Sequence, residues 1–150
     1  VPEKENYMTT DIEYTFVFTY GTLMRKQCRN EIMEKYAVFC GTTSIKGYKL
    51  YDYPLGGYPV AVYTGSEEDV IPGELYLVTS NLIPILDKIE GEGTLYSREC
   101  VTTTSDVEAI MYAGIEEFWD GYRKSGMISS IPSGTQWSFE NSVENSTVEC

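Results

Sequence analysis

The sequence contains no histidine, no CxxC pair and no apolar run approaching the ~20 residues that a membrane span requires. Without histidine, Ser-His-Asp and Cys-His catalysis are excluded outright. Zinc sites built on CxxC or Cys/His spacing have no support either, since Cys28, Cys40, Cys100 and Cys150 are widely scattered. Any proton transfer must therefore fall to Glu, Asp, Lys, Tyr or Cys. Positive charge is scarce too: 11 Lys and Arg against 23 Asp and Glu give a net charge of −12. Such a chain offers no basic face to a nucleic-acid backbone or an anionic membrane, so neither is expected as a partner. Solubility is the simple account of the charge. The stretch from Val1 to Asp11 lacks the apolar core of a signal peptide, and with four unpatterned cysteines the expected location is cytoplasmic.

What is present is a chain of 150 residues, 42% hydrophobic and with 13 tyrosines, enough for a single domain with a sizeable core. Residues 1–11 read as a flexible lead-in, 12–139 as the folded domain and 140–150 as a disordered acidic tail. Strands are expected at the Phe16–Tyr20 run, Thr43 to Tyr53, Tyr58 to Tyr63 and Val70 to Val78, with Gly73 marking a bulge or a close approach. Glu99 to Thr104 and Val107 to Ala113 pair as a hairpin around Ser105-Asp106. Helical segments are expected at Arg25 to Tyr36, Leu82 to Ile89 and Ile115 to Lys124. The predicted class is α+β: a small mixed β-barrel of five or six strands with flanking helices.

Phe16-Val17-Phe18-Thr19-Tyr20 is rich in aromatic and β-branched residues and suits a strand covered on both faces. Gly21-Thr22-Leu23-Met24 then interrupts it. A strand that runs into a small-residue loop leaves backbone N–H groups without ladder partners, ready to bind a carboxylate or an oxyanion. The plainer alternative is an ordinary strand-to-helix turn with Gly21 at positive φ.

The second unusual residue lies on the helix after Ser80 or Asn81, either of which could cap it. At 100° per residue, Leu82, Ile83, Ile85, Leu86 and Ile89 form one apolar stripe, and Glu90 falls inside it between Ile83 and Leu86. Desolvation raises a carboxylate pKa toward neutrality, where it can serve as a general base. A frayed helix end that lets Glu90 reach water is the alternative.

Together these segments resemble the γ-glutamylcyclotransferase-like, or AIG2-like, proteins. Phe18 to Leu23 resembles their F-x-Y-G-T-L opening, and Tyr58-Pro59-Val60-Ala61-Val62 their YP-A segment. Val70 to Tyr76 is similar to V-x-G-E-L/V-Y, and Leu86 to Gly91 with Tyr96-Ser97-Arg98 to L-D-x-x-E-G…Y-x-R. Gly134 to Trp137 is similar to the closing G-x-W. One departure is the missing glycine shortly after YGTL.

The resemblance implies a cavity at the YGTL loop and chemistry with no metal and no cofactor. A γ-glutamyl amine or peptide would close on itself to 5-oxoproline and release a free amine. By the same resemblance Glu90 is the catalytic acid/base, Tyr20, Gly21, Thr22 and Leu23 bind the glutamyl portion, and Tyr112 is a pocket-side tyrosine. Arg98 is expected in a structural ion pair, and Asp87 and Glu74 as solvated or structural. The competing class is a non-catalytic module that binds a small amino-acid-like ligand in the same pocket.

Overall fold

The computed structural model describes residues 13–27 and 29–139. The predicted lead-in and acidic tail lie outside the described residues. Strand β1 (Tyr14–Thr19) is followed by the YGTL loop and helix α1 (Asn30–Tyr36). Next come β2 (Ala37–Lys46), β3 (Tyr48–Tyr53), β4 (Tyr58–Tyr63) and β5 (Val70–Thr79). A single 3-10 turn, Ser80–Leu82, leads into α2 (Ile83–Glu90). The hairpin β6 (Tyr96–Thr102) and β7 (Glu108–Gly114), helix α3 (Glu116–Lys124) and the short β8 (Ser129–Ser130) complete the order. None of the described helices is long and apolar enough to cross a membrane.

The strands form two sheets, β2-β5-β1-β7-β6 and β4-β3-β8. The first is mixed, because β1 pairs antiparallel with β5 and parallel with β7. Central β1 is covered on both faces, as its composition predicts: Val17 enters one hydrophobic cluster with Met33, Val60, Leu86 and Trp119. Its neighbour Phe18 enters the other, with Met24, Ile45, Ile71, Met111 and Trp137. Alternation of side chains across a strand is what lets one segment nucleate two cores.

The predicted barrel is corrected here: the two sheets do not close. The run read as one strand from Thr43 to Tyr53 breaks at Gly47, whose φ of +90° only glycine adopts without strain. Its N–H donates to Asp69 O and its carbonyl accepts from Thr64 and Gly65, so the chain swings from one sheet into the next. On the other side β4 faces β7 without a ladder. The gap is bridged by two phenols. The Tyr20 hydroxyl donates to Tyr112 O at 2.5 Å and accepts from the Ala61 N–H at 3.3 Å, and the Tyr96 hydroxyl donates to Pro59 O at 2.7 Å.

Gly73 marks a close approach rather than a bulge. A Cβ there would lie 2.2 Å from Thr19 O and 2.7 Å from the Phe18 ring. The register shift is on the neighbouring strand, between Phe39 and Thr42. Since the first obstacle is backbone, Gly73→Ala is expected to push the end of β1 away and destabilise the fold by about 3 kcal/mol. A urea midpoint equal to that of the wild type would contradict this.

Helix α2 buries a narrower arc than its apolar stripe. Leu82, Ile83 and Leu86 are buried and Ile89 is half-buried, whereas Ile85 is 49% exposed. The buried arc is thus shifted toward the side that carries Glu90. Neither Ser80 nor Asn81 caps the helix through its side chain, because the 3-10 turn takes the place of a cap. At the other end Gly91 adopts φ +64° and its N–H bonds back to Asp87 and Lys88, a left-handed stop that makes Glu90 the last helical residue.

Candidate active site

The YGTL loop is held from below by its carbonyls. Gly21 O accepts from Met24 N at 3.0 Å, Thr22 O from Arg29 N at 2.8 Å, and Leu23 O from Asn30 Nδ2 at 2.9 Å. With three successive carbonyls drawn inward, the matching N–H groups are left unused. Among the described residues, no acceptor is seen for the N–H of Gly21, Thr22 or Leu23. Gly21 is not in the left-handed region that the plainer alternative, an ordinary turn, required of it. It is small because Pro59 is near: a Cβ would meet the proline ring at 2.9 Å.

A polar network fixes the loop's far end. The carboxylate of Glu74, which is 3% exposed, accepts from Arg25 N at 2.7 Å, Arg25 Nε at 2.9 Å and the Tyr76 hydroxyl at 3.0 Å. Asn30 Nδ2 also reaches the Tyr76 oxygen at 3.1 Å. Glu74 is therefore structural, one of the two alternatives the sequence left open for it. Asn30 was not foreseen, although a polar residue that becomes buried at the first position of a helix is the kind of signal that could have flagged it.

A narrow recess opens between this loop, the β4 segment and the end of α2. It holds about 350 Å³ of empty space counted out to its open mouth. Tyr20, Gly21, Thr22, Leu23, Glu90 and Tyr112 all line it, so the structure brings every predicted site residue to one place. Tyr58, Pro59 and Tyr96 line it too. These three stood in the sequence motifs but carried no assigned role.

The side chains contribute unequally. Tyr20 points its hydroxyl into the seam between the sheets, where it is fully committed, and burial pushes its pKa far up. Its ring is wall, not donor. The Tyr112 hydroxyl donates to Asp87 Oδ1 at 2.6 Å, and Asp87 Oδ2 accepts from Arg98 Nη1 at 2.9 Å. Burial and that carboxylate both raise Tyr112. Arg98 thus forms the structural ion pair expected of it, and Asp87 joins it to the pocket wall.

Glu90 is the exception. Among the described residues its carboxylate receives no hydrogen bond, and burial lifts its pKa from 4.5 to about 7, with Arg29 pulling weakly the other way. Desolvation is the dominant cause, as its place in the apolar stripe foretold. A protein at neutral pH then holds this acid as a mixture of protonated and ionised forms. No group of three or more Cys, Asp or Glu side chains among the described residues is arranged to hold a metal ion.

The recess thus pairs one desolvated acid with fixed main-chain donors on a mixed α+β scaffold. The family model described as gamma-glutamyl cyclotransferase, AIG2-like, matches residues 17–138, and the chain belongs to that family. No curated protein matches the chain. Among solved structures, the AIG2-like protein of Mus musculus is 20% identical, covers 84% of this chain and 89% of its own, with a TM-score of 0.66. Protein ytfP from Escherichia coli is 29% identical over 79% of this chain and 93% of its own, with a TM-score of 0.58. A structure described as gamma-glutamyl cyclotransferase is 16% identical over 76% and 81%, with a TM-score of 0.52.

Proposed function

We propose that this chain is a cofactor-independent γ-glutamylcyclotransferase that converts a γ-glutamyl amine or peptide to 5-oxoproline and a free amine. The observation that carries the reading is Glu90: an unpaired carboxyl with a pKa near 7 in the same recess as unused loop N–H groups. Family membership supports it.

The chemistry follows from what each group can do. Glu90 as carboxylate takes a proton from the substrate's α-ammonium, freeing the nitrogen lone pair. That nitrogen attacks the γ-carbonyl carbon, a C–N bond forms, and negative charge develops on the carbonyl oxygen. The N–H groups of Gly21, Thr22 and Leu23, already fixed by their carbonyls, receive a substrate oxygen without reorganising. The original amide C–N bond then breaks as Glu90 returns its proton to the departing nitrogen. Two protons leave the attacking nitrogen in all, and two arrive on the departing amine, so no water is consumed. Nucleophile and electrophile share one molecule, which supplies much of the rate.

A base with a pKa near 7 has a pH signature. The value of kcat/KM is expected to rise with pH through about 7, as Glu90 ionises in the free enzyme. The test is release of 5-oxoproline, with an equimolar amine, from a panel of γ-glutamyl amines and dipeptides between pH 5 and 9. Silence across the whole panel would sink the enzyme reading. If calorimetry then detected a bound γ-glutamyl compound, the pocket would belong to a binding module.

A further inference from the structure

The recess described above accounts for the glutamyl half of a substrate and leaves the departing half unassigned. Arg29 lies beside the end of α2 that carries Glu90. It immediately precedes α1, and its Nη1 donates to Ile89 O at 3.1 Å, beside the catalytic candidate on α2. Its charge draws Glu90, Tyr58 and Tyr96, three groups of the recess wall, toward their ionised forms. The guanidinium is therefore near these groups, although it lines a neighbouring groove and not the recess itself.

Its lack of a carboxylate partner among the described residues is the telling feature. The sequence has four arginines, at 25, 29, 98 and 123. Arg25, Arg98 and Arg123 each pair with a carboxylate, from Glu74, Asp87 and Asp120. Among the described residues Arg29 has no carboxylate partner, and a single carbonyl occupies one of its five N–H donors. It also lines an open groove between α1 and the end of α2, floored by Ile32, Tyr36 and Ile89. The other cation there, Lys35, is engaged by Glu31 at 3.2 Å. In a chain of net charge −12 an anionic substrate meets general repulsion, so one guanidinium beside Glu90 with no carboxylate partner among the described residues is a strong discriminator.

We propose that Arg29 selects γ-glutamyl substrates whose departing amine carries a carboxylate, an amino acid or peptide with an apolar side chain, seated in the groove between α1 and α2. This rests on the cyclotransferase reading above. The guanidinium fork binds the carboxylate bidentately, while Ile32, Tyr36 and Ile89 cover the side chain.

The test uses a matched pair, γ-glutamyl-phenylalanine and γ-glutamyl-phenethylamine, which differ by that one carboxylate. Rates are taken at pH 8.5, above the Glu90 titration, so that loss of the neighbouring charge does not alter the base. Wild type is expected to favour the acid by about 10-fold or more in kcat/KM. Arg29→Gln should erase the preference through KM of the acid alone, with the amine changed less than about 3-fold and Arg29→Lys restoring part of it. Equal loss on both compounds would mean that Arg29 serves the shared glutamyl group, and the proposal would fall. Absence of a preference in the wild type would overturn it equally. Direct binding of both compounds separates the two readings. If neither is turned over but the acid binds in an Arg29-dependent way, the cyclotransferase fails and the selection stands. Binding that ignores Arg29 removes both.

Discussion

Replacement of Glu90 by Gln is expected to lower kcat by about 10²- to 10⁴-fold while making the protein more stable above pH 7. Gln keeps the volume and removes the titrating group, so the two effects share one cause. The native state holds the proton on Glu90 up to about pH 7, whereas the unfolded chain loses it near 4.5. Between those values the folded form binds more protons, and stability from this group falls as pH rises. It is fully present below 4.5 and fully lost above about 7, where the ionised carboxylate bears its desolvation cost. The shift sets a ceiling of about 3 kcal/mol, reduced because the side chain reaches solvent through the recess mouth. Urea denaturation of both proteins at pH 5 and pH 8 measures the difference. A variant no more stable than wild type at pH 8 would remove the buried-acid account, and one that kept its kcat would remove Glu90 from the chemistry.

Glu74→Ala should do the opposite, weakening fold and substrate binding together. Its carboxylate accepts from the Arg25 N–H and from the Tyr76 hydroxyl, both of which lose their partner. The Arg25 side chain is 53% exposed and regains water, so the ion pair itself contributes little. The stranded backbone and phenol donors account for a loss of about 3–4 kcal/mol. Tyr76 also shares Asn30 Nδ2, which holds Leu23 O, so the loop loses the support that aims its N–H groups. KM for any γ-glutamyl substrate is expected to rise by about 10-fold or more in consequence. A lower melting temperature with unchanged KM would show that Glu74 supports the fold without shaping the site.

The parts of this molecule that follow a period could be read from the chain. Strand β4 begins and ends where its composition placed it, and β5, the β6–β7 hairpin and α3 lie within a few residues of expectation. The phase of α2 by itself places Glu90 in the apolar stripe, and the raised acid agrees with that phase. Where the reading failed, the cause was non-local. Gly47 looks like any glycine within a strand-like stretch, yet its positive φ divides one strand into two. Helix α1 starts at Asn30 rather than Arg25, because Gln27 and Arg29 turn their N–H groups back to Met24 O and Thr22 O in the loop. The parallel pairing of β1 with β7 leaves no local trace. Nor do the bonds from Tyr20 to Tyr112 or from Asn30 to Leu23, which depend on which side chain meets which carbonyl after the chain has folded back.

The seam between β4 and β7, which carries no ladder, borders the recess through Pro59 and Tyr112. Ladder hydrogen bonds would draw the two strands to about 4.8 Å and flatten the space between them. Phenols reach further than an N–H···O bond. By hanging β4 from Tyr20 and Tyr96, the chain closes this seam with side chains in place of a backbone ladder. Both tyrosines are also wall residues of the recess, so the closure of the container and its lining are built from the same side chains.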